Sequence, residues 1–130
     1  MILPTEDEKN LDLLGTLHYV MGVLTALFAC IPIIHLVIGI AMLTGNLNGE
    51  EIAPRAIGMA FVILASIIIL AGWTFAVLII ISGSRLKQRR SYNYCLIIAF
   101  LQCLIMPLGT ILGIFTILNL NKDTVRELFN

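Results

Sequence analysis

The chain has 130 residues, 59% hydrophobic and only 12% charged, with eight basic residues balancing eight acidic ones. A soluble domain averages about 25% charged residues and could not hide this much apolar surface at this length. Zero net charge supplies no basic field for a nucleic-acid partner. The charges are also segregated: none falls between Asp12 and Glu50, between Arg55 and Arg85, or between Arg90 and Lys122. Each gap exceeds the roughly 18 uncharged residues that suffice to cross a bilayer as a helix. The expected architecture is therefore all-α: a polytopic integral membrane helical bundle of three long apolar segments, forming one transmembrane domain over residues 1–130. Four spans or half-spans are the alternative arrangement.

Residues 1–12 read as a cytoplasmic or interfacial N-terminus. Thr5-Glu6-Asp7-Glu8 fits a capping box, which starts a helix near Glu6, and three acids sit in its favourable first turn. Leu11, Leu14 and His18 recur at helical spacing, as in an amphipathic turn at the interface, which makes His18 a headgroup contact. No basic n-region precedes the first apolar segment, and that segment exceeds a signal-peptide core, so it is expected to stay in the mature protein.

Segment 1 covers 13–44. Its uninterrupted part, Leu13 to Leu43, is about 31 residues, or about 46 Å at roughly 1.5 Å per residue, against a hydrocarbon core of about 30 Å. Pro32 lies inside it and predicts a kink or break near Cys30 to Pro32. The connection 45–54 holds two acids and no basic residue, which suits an outer loop. Segment 2, residues 55–83, is an ordinary span.

A basic loop, 84–91, follows. Arg85, Lys87, Arg89 and Arg90 form the densest basic cluster of the chain, which puts this loop, and the N-terminus by parity, in the cytoplasm. Tyr19, Tyr92 and Tyr94 then fall on the same boundary, where amphipathic rings favour the headgroups. The four basic side chains are candidate lipid-headgroup ligands, at about 1 kcal/mol each near an anionic surface. Fixing topology is sufficient reason for their presence.

Segment 3, residues 92–120, is again overlong and again contains a proline, Pro107. Tyr19 precedes Pro32 by the same interval that separates Tyr94 from Pro107, so the two broken segments read either as an internal repeat or as two independent kinks. A single crossing would put the C-terminus outside, whereas a reversal at Pro107 would keep Lys122 and Arg126 in the cytoplasm. Segment length favours the crossing, hence three spans. Residues 121–130 form an amphipathic tail with Val125, Leu128 and Phe129 on one face.

Small residues recur at four-residue spacing in Gly22-x3-Ala26-x3-Cys30, Gly72-x3-Ala76, Cys95-x3-Ala99-x3-Cys103 and Gly109-x3-Gly113. Helices in lipid associate by close backbone approach across such seams. The seams could close within one chain or between chains. So short a chain buries little internal surface, so a homo-oligomer or another membrane protein is the expected partner, with the lipid bilayer itself.

Cys30, His35 and Cys103 are the candidate metal ligands, because a helix broken at Pro32 could aim soft and imidazole donors inward toward Cu(I) or Zn. The competing reading makes the cysteines small packing residues, since no recognised ligand spacing occurs and the odd number inside apolar segments excludes a disulfide framework. No cofactor is expected. The apolar segments hold no carboxylate, hence no acid–base pair, no Ser-His-Asp set and no phosphate loop. The chain reads as a non-enzyme.

Pro107-Leu-Gly-Thr-Ile-Leu-Gly-Ile-Phe-Thr-Ile-Leu-Asn-Leu followed by Val125-x3-Phe129, with Gly83 before the basic run Arg85 to Arg90, resembles the C-terminal half of a group of small bacterial multi-span membrane proteins. The N-terminal half is similar only in its long apolar segment ending in a glycine, Gly39 or Gly45. The resemblance implies a bacterial inner-membrane location and carries over no activity or site. The functional expectation is a non-enzymatic helical bundle that acts as a self-associating interaction or accessory subunit. A small oligomeric channel or transporter for an ion or metal is the alternative.

Overall fold

The computed structural model describes residues 3–46 and 55–129. Most of the expected outer loop, from position 47 to 54, therefore lies outside the described residues. Six helices follow in order: α1 (Glu6–Phe28), α2 (Ile33–Thr44), α3 (Arg55–Gln88), α4 (Tyr92–Gln102), α5 (Leu108–Leu120) and α6 (Asp123–Leu128), with no strand among the described residues. Two stretches, Glu6–Thr44 and Arg55–Gln88, are long and apolar enough to cross a membrane, and only 11% and 17% of their most apolar windows are buried. The chain divides into two compact units. One comprises residues 1–23 and 76–130, the other Leu24–Phe75.

α1 starts as its capping box dictates. The Thr5 amide donates to Glu8 Oε2 at 2.9 Å and the Glu8 amide to Thr5 Oγ1 at 3.4 Å, so two orphan donors of the first turn are satisfied reciprocally.

In the unit Leu24–Phe75, the helix stops at Phe28 and resumes at Ile33, after Pro32. Tight turns bridge the gap: Cys30 N–H donates to Leu27 O and Ile31 N–H to Phe28 O, both at 3.1 Å. Shortened i to i+3 bonds are the usual repair where proline has no N–H to give. α2 then packs antiparallel to the first half of α3. A methyl added at Gly72 would lie 2.6 Å from Ala29 Cβ, and one added at Gly39 would lie 3.1 Å from Gly58 O. α2 ends at Gly45, whose left-handed φ of 72° lets its N–H reach Ala41 O. That is the backbone conformation in which glycine has no Cβ penalty.

The larger unit contains the start of α1, the second half of α3, and α4 to α6. α1 runs antiparallel to α3: Gly15 meets Gly83 and Lys87, while Gly22 meets Ala76 and Ile80. α3 extends to Gln88, so the expected basic loop 84–91 is mostly helix. Arg, Lys, Leu and Gln are good helix formers, and cations suit a helix C-terminus. The true turn is Arg89 to Ser91, where Arg89 (φ 53°) and Ser91 (φ 57°) are left-handed without being glycine.

Segment 3 does not run through as one kinked rod. α4 and α5 are antiparallel, with the Tyr92 hydroxyl donating to Leu120 O at 3.0 Å, so the start of one helix lies beside the end of the other. The single kinked helix expected over 92–120 is replaced by a helical hairpin. Its cause is local: the Thr110 hydroxyl takes up the Cys103 carbonyl at 2.7 Å. Gly109 and Gly113 then let α5 lie against Gln102 O and Ala99 O. The two proline breaks thus differ in kind, one bridged by tight turns and the other reversing the chain, which leaves their equal spacing from a tyrosine without a structural counterpart.

Substitutions at these contacts separate close approach from mere smallness. A methyl at Gly113 would sit 2.6 Å from both Ala99 O and Cys103 Sγ, whereas at Gly58 the nearest atoms are 3.3 Å away. Gly113→Ala is expected to lower stability by about 1–3 kcal/mol through overpacking against backbone. Gly58→Ala is expected to stay within about 1 kcal/mol of wild type, because helix propensity offsets the small adjustment. Unfolding midpoints in mixed detergent–SDS micelles check both.

Candidate functional site

Two features of the larger unit could carry function: polar side chains turned into its core, and a belt of charges and tyrosines where its helix ends meet.

The core holds His18, Ser82, Gln102 and Thr116, all fully buried, and Asn119, 5% exposed. His18 was expected at a headgroup, yet it packs beside Gly83, where an added methyl would come within 2.9 Å of His18 Cβ. Room at glycine, rather than the amphipathic count along α1, decides where this ring goes. Its Nδ1 lies 2.8 Å from Leu14 O. A carbonyl only accepts, so Nδ1 carries the hydrogen, and in the neutral ring Nε2 is left as a bare acceptor. Thr116 and Asn119 bond back to the carbonyls of Leu112 (2.7 Å) and Phe115 (2.9 Å). Cys95 Sγ is 3.9 Å from Ser82 O. His18 Nε2, Ser82 Oγ and both amide atoms of Gln102 are buried without a hydrogen-bond partner among the described residues.

The belt joins elements far apart in sequence. Arg89 pairs with Glu8 at 3.1 Å and Lys122 with Asp7 at 3.4 Å. Asp7 also accepts from the Thr124 hydroxyl at 2.7 Å. Each tyrosine lies under a cation: Tyr94 under Arg85 at 5.0 Å, Tyr19 under Lys87 at 5.4 Å, and Tyr92 under Arg126 at 5.7 Å. Phe129 meets Tyr92 edge-on at 5.7 Å, and Val125 is fully buried, which docks α6. The tyrosines expected at headgroups therefore serve as internal ties, each adding about 0.5–1 kcal/mol of cation–π attraction where exposed. Of the four basic residues expected to face lipid, Lys87 lies over the Tyr19 ring while remaining exposed, Arg89 pairs with Glu8, Arg85 bonds the Ser91 hydroxyl, and Arg90 is exposed.

The metal candidates are not assembled. Cys30 gives its thiol to Ala26 O at 3.3 Å, and exposed His35 stacks on Phe61 with ring centroids 6.2 Å apart. Cys103 belongs to the other unit and packs against Gly113. The described residues contain no group of three or more His, Cys, Asp or Glu able to hold a metal ion.

The small-residue positions Gly22, Gly72, Ala76, Ala99, Gly109 and Gly113 all lie at close contacts within the chain. Ala26 is half-buried and accepts the Cys30 thiol. Four-residue spacing does not mark the Gly15–Gly83 and Gly39–Gly58 approaches. A seven-residue spacing within the larger unit marks the first: Gly15 and Gly22 on α1, Ala76 and Gly83 on α3. That is the period of two helices wrapped with about 3.5 residues per turn.

No protein-family model, no curated protein and no solved structure matches this chain.

Two outcomes follow from this geometry. Gln102→Leu removes an unpaired buried amide at nearly constant volume, and is expected to raise stability by about 1–3 kcal/mol, read as a higher unfolding midpoint. Asp7, which precedes the uncharged stretch, has its carboxyl pulled below the usual range by the Thr124 hydroxyl first and Lys122 next. A depressed carboxyl contributes stability above its unfolded pKa of about 3.9 and loses it as pH falls through the lower folded value. Protection of the amides of residues 122–128, taken relative to the intrinsic exchange rate at each pH, should therefore fall below about pH 4 in wild type. In Asp7→Asn it should already be low at neutral pH, without that acid step.

Proposed function

We propose that this chain is an integral protein of the inner (plasma) membrane that catalyses no reaction and serves as a helical interaction or accessory subunit. The observation that carries this reading is the outward apolar surface. Ile34 (63%), Leu64 (60%), Leu70 (69%) and Leu104 (79%) are among many large side chains left exposed, while the polar groups of the larger unit are buried or tied together at one end. Contiguous apolar surface on that scale marks a membrane or partner interface.

In this reading the apolar parts of 6–44 and 55–88 cross the bilayer. The α4–α5 hairpin enters and returns: at 11 and 13 residues its helices are about 16 and 20 Å long, short of a core of about 30 Å. Both termini then lie on one side with Arg85, Lys87, Arg89 and Arg90, which the basic-residue rule assigns to the cytoplasm. A reporter fused after Asn130 and one fused before Met1 should both be cytoplasmic. Opposite sides would refute the hairpin arrangement.

Association with a second copy or another membrane protein is drawn from the outward faces, because the small-residue seams are used inside the chain. Concentration-dependent energy transfer between labelled copies in nanodiscs tests it, and a strict monomer leaves only a different protein as partner. One observation favours transport instead, namely the unpaired polar atoms of His18, Ser82 and Gln102 in the core. Intramembrane polar groups often mark a path. A selective ion flux in liposomes that Gln102→Leu abolishes would replace the accessory reading with a transport one.

A further inference from the structure

A cleft beside the turn between α3 and α4 is lined by Ile81, Ser84, Arg85, Gln88, Arg90 and Ser91. We propose that it binds the phosphate of an anionic lipid headgroup, with Arg85 and Arg90 as the charged pair. The inference rests on the membrane reading above and deepens it by naming a lipid class and the residues that select it.

The lining contains two guanidiniums, two hydroxyls and one amide, and no carboxylate. Its internal hydrogen bonds leave donors over. Gln88 Nε2 donates to Ser84 Oγ at 3.1 Å, and Arg85 Nη1 donates to Ser91 Oγ. Each serine oxygen is thus an acceptor already served, and each keeps its own O–H to offer. Arg85 is held in place by Ser91 and by the Tyr94 ring 5.0 Å from its guanidinium carbon, and it retains further N–H groups. Arg90 is exposed, and its side chain makes no hydrogen bond or ion pair with a described residue.

Acceptors that could compete are engaged elsewhere. The Arg90 amide caps Arg85 O at 2.9 Å and the Arg89 amide meets Leu86 O at 3.2 Å. The left-handed Arg89 and Ser91 set the course of this turn. Arg85 is thereby tied to a residue beyond the turn. A doubly cationic cleft without a carboxylate and with planar guanidiniums matches a phosphate, which can take bidentate N–H pairs. Ile81, 38% exposed, supplies an apolar wall that a free phosphate would not use and an acyl-bearing phosphodiester would. Lys87 and Arg89, the other members of the basic cluster, are spent on Tyr19 and Glu8.

The test is native mass spectrometry of the full chain in mild detergent, titrated with phosphatidylglycerol or with phosphatidylcholine of the same acyl chains. Wild type should retain phosphatidylglycerol about tenfold more tightly, and Arg85→Gln/Arg90→Gln should fall to the phosphatidylcholine level. Arg90→Gln alone, which removes an exposed side chain without a partner, should lose several-fold while melting like wild type. This keeps the test decisive if the double variant fails to fold. Lys9→Gln, a charge-matched change elsewhere, should bind like wild type. Unchanged preference in Arg90→Gln, or an equal loss in Lys9→Gln, would overturn the site in favour of a diffuse field. Displacement of the lipid by millimolar inorganic phosphate would reassign the cleft to a soluble anion. Carbonate washing of native vesicles separates the two layers of the claim. Release of wild type would defeat the membrane reading and the site together, whereas retention without a phosphatidylglycerol preference would defeat the site alone.

Discussion

Where Gly15 meets Gly83 and Gly113 meets Ala99, the Cβ of an alanine would come within 2.9 Å of a backbone carbonyl on the facing helix. Backbones this close leave no space for side chains between them, and everything else in the larger unit is arranged around that approach. α1 can lie against α3 only because glycine and alanine recur along both. α5 can fold back on α4 only because Gly109 and Gly113 open its inner face. In lipid, where side chains gain little by leaving the solvent, such contacts are the main source of helix association. Their use inside one chain leaves the large apolar side chains of the outer surface exposed.

The same approach explains the distribution of polar groups. His18 occupies the volume that Gly83 leaves vacant, and Ser82, the neighbour of that glycine, is drawn into the core with it. The hairpin likewise buries Gln102, next to the turn it creates. These groups are inside because of where backbones touch, and His18, Ser82 and Gln102 then remain only partly satisfied. At the opposite extreme, Asp7, Glu8, Arg89 and Lys122 have found one another across the chain. Three tyrosines lie beneath cations in the same belt, which ties the start of α1, the end of α3, the start of α4 and α6 into one polar cluster. In the α3–α4 turn, Arg89 is paired with Glu8 and Arg90 is left exposed.

Several features were readable from residues alone. The capping box at Thr5 to Glu8 needs only local hydrogen bonds, and it forms as the motif requires. Interruptions near Pro32 and Pro107 follow from the missing N–H of proline. The seam positions Gly22, Gly72, Ala76, Ala99, Gly109 and Gly113 were found because four-residue spacing is a property of one helix. α3 runs five residues beyond the expected segment end at 83 because Arg85 to Gln88, though mostly charged or polar, are good helix formers. The roles of Gly15, Gly39, Gly58 and Gly83 lie in the helix opposite; a seven-residue count along both partners exposes the Gly15–Gly83 approach and not that of Gly39 with Gly58.

By itself the sequence determined the all-helical character, two of the three long apolar segments it predicts, the sites of interruption and the small-residue faces, since each depends on hydropathy or on backbone chemistry within a few residues. Tertiary structure alone decided that the Pro107 segment turns back, that the seams close within the chain, that His18 is a core residue, and which basic side chains stay unspent. Those outcomes depend on which backbone carbonyl lies opposite which glycine and which carboxylate reaches which cation. Such pairings join residues as distant as Asp7 and Lys122, and no count along a single helix contains them.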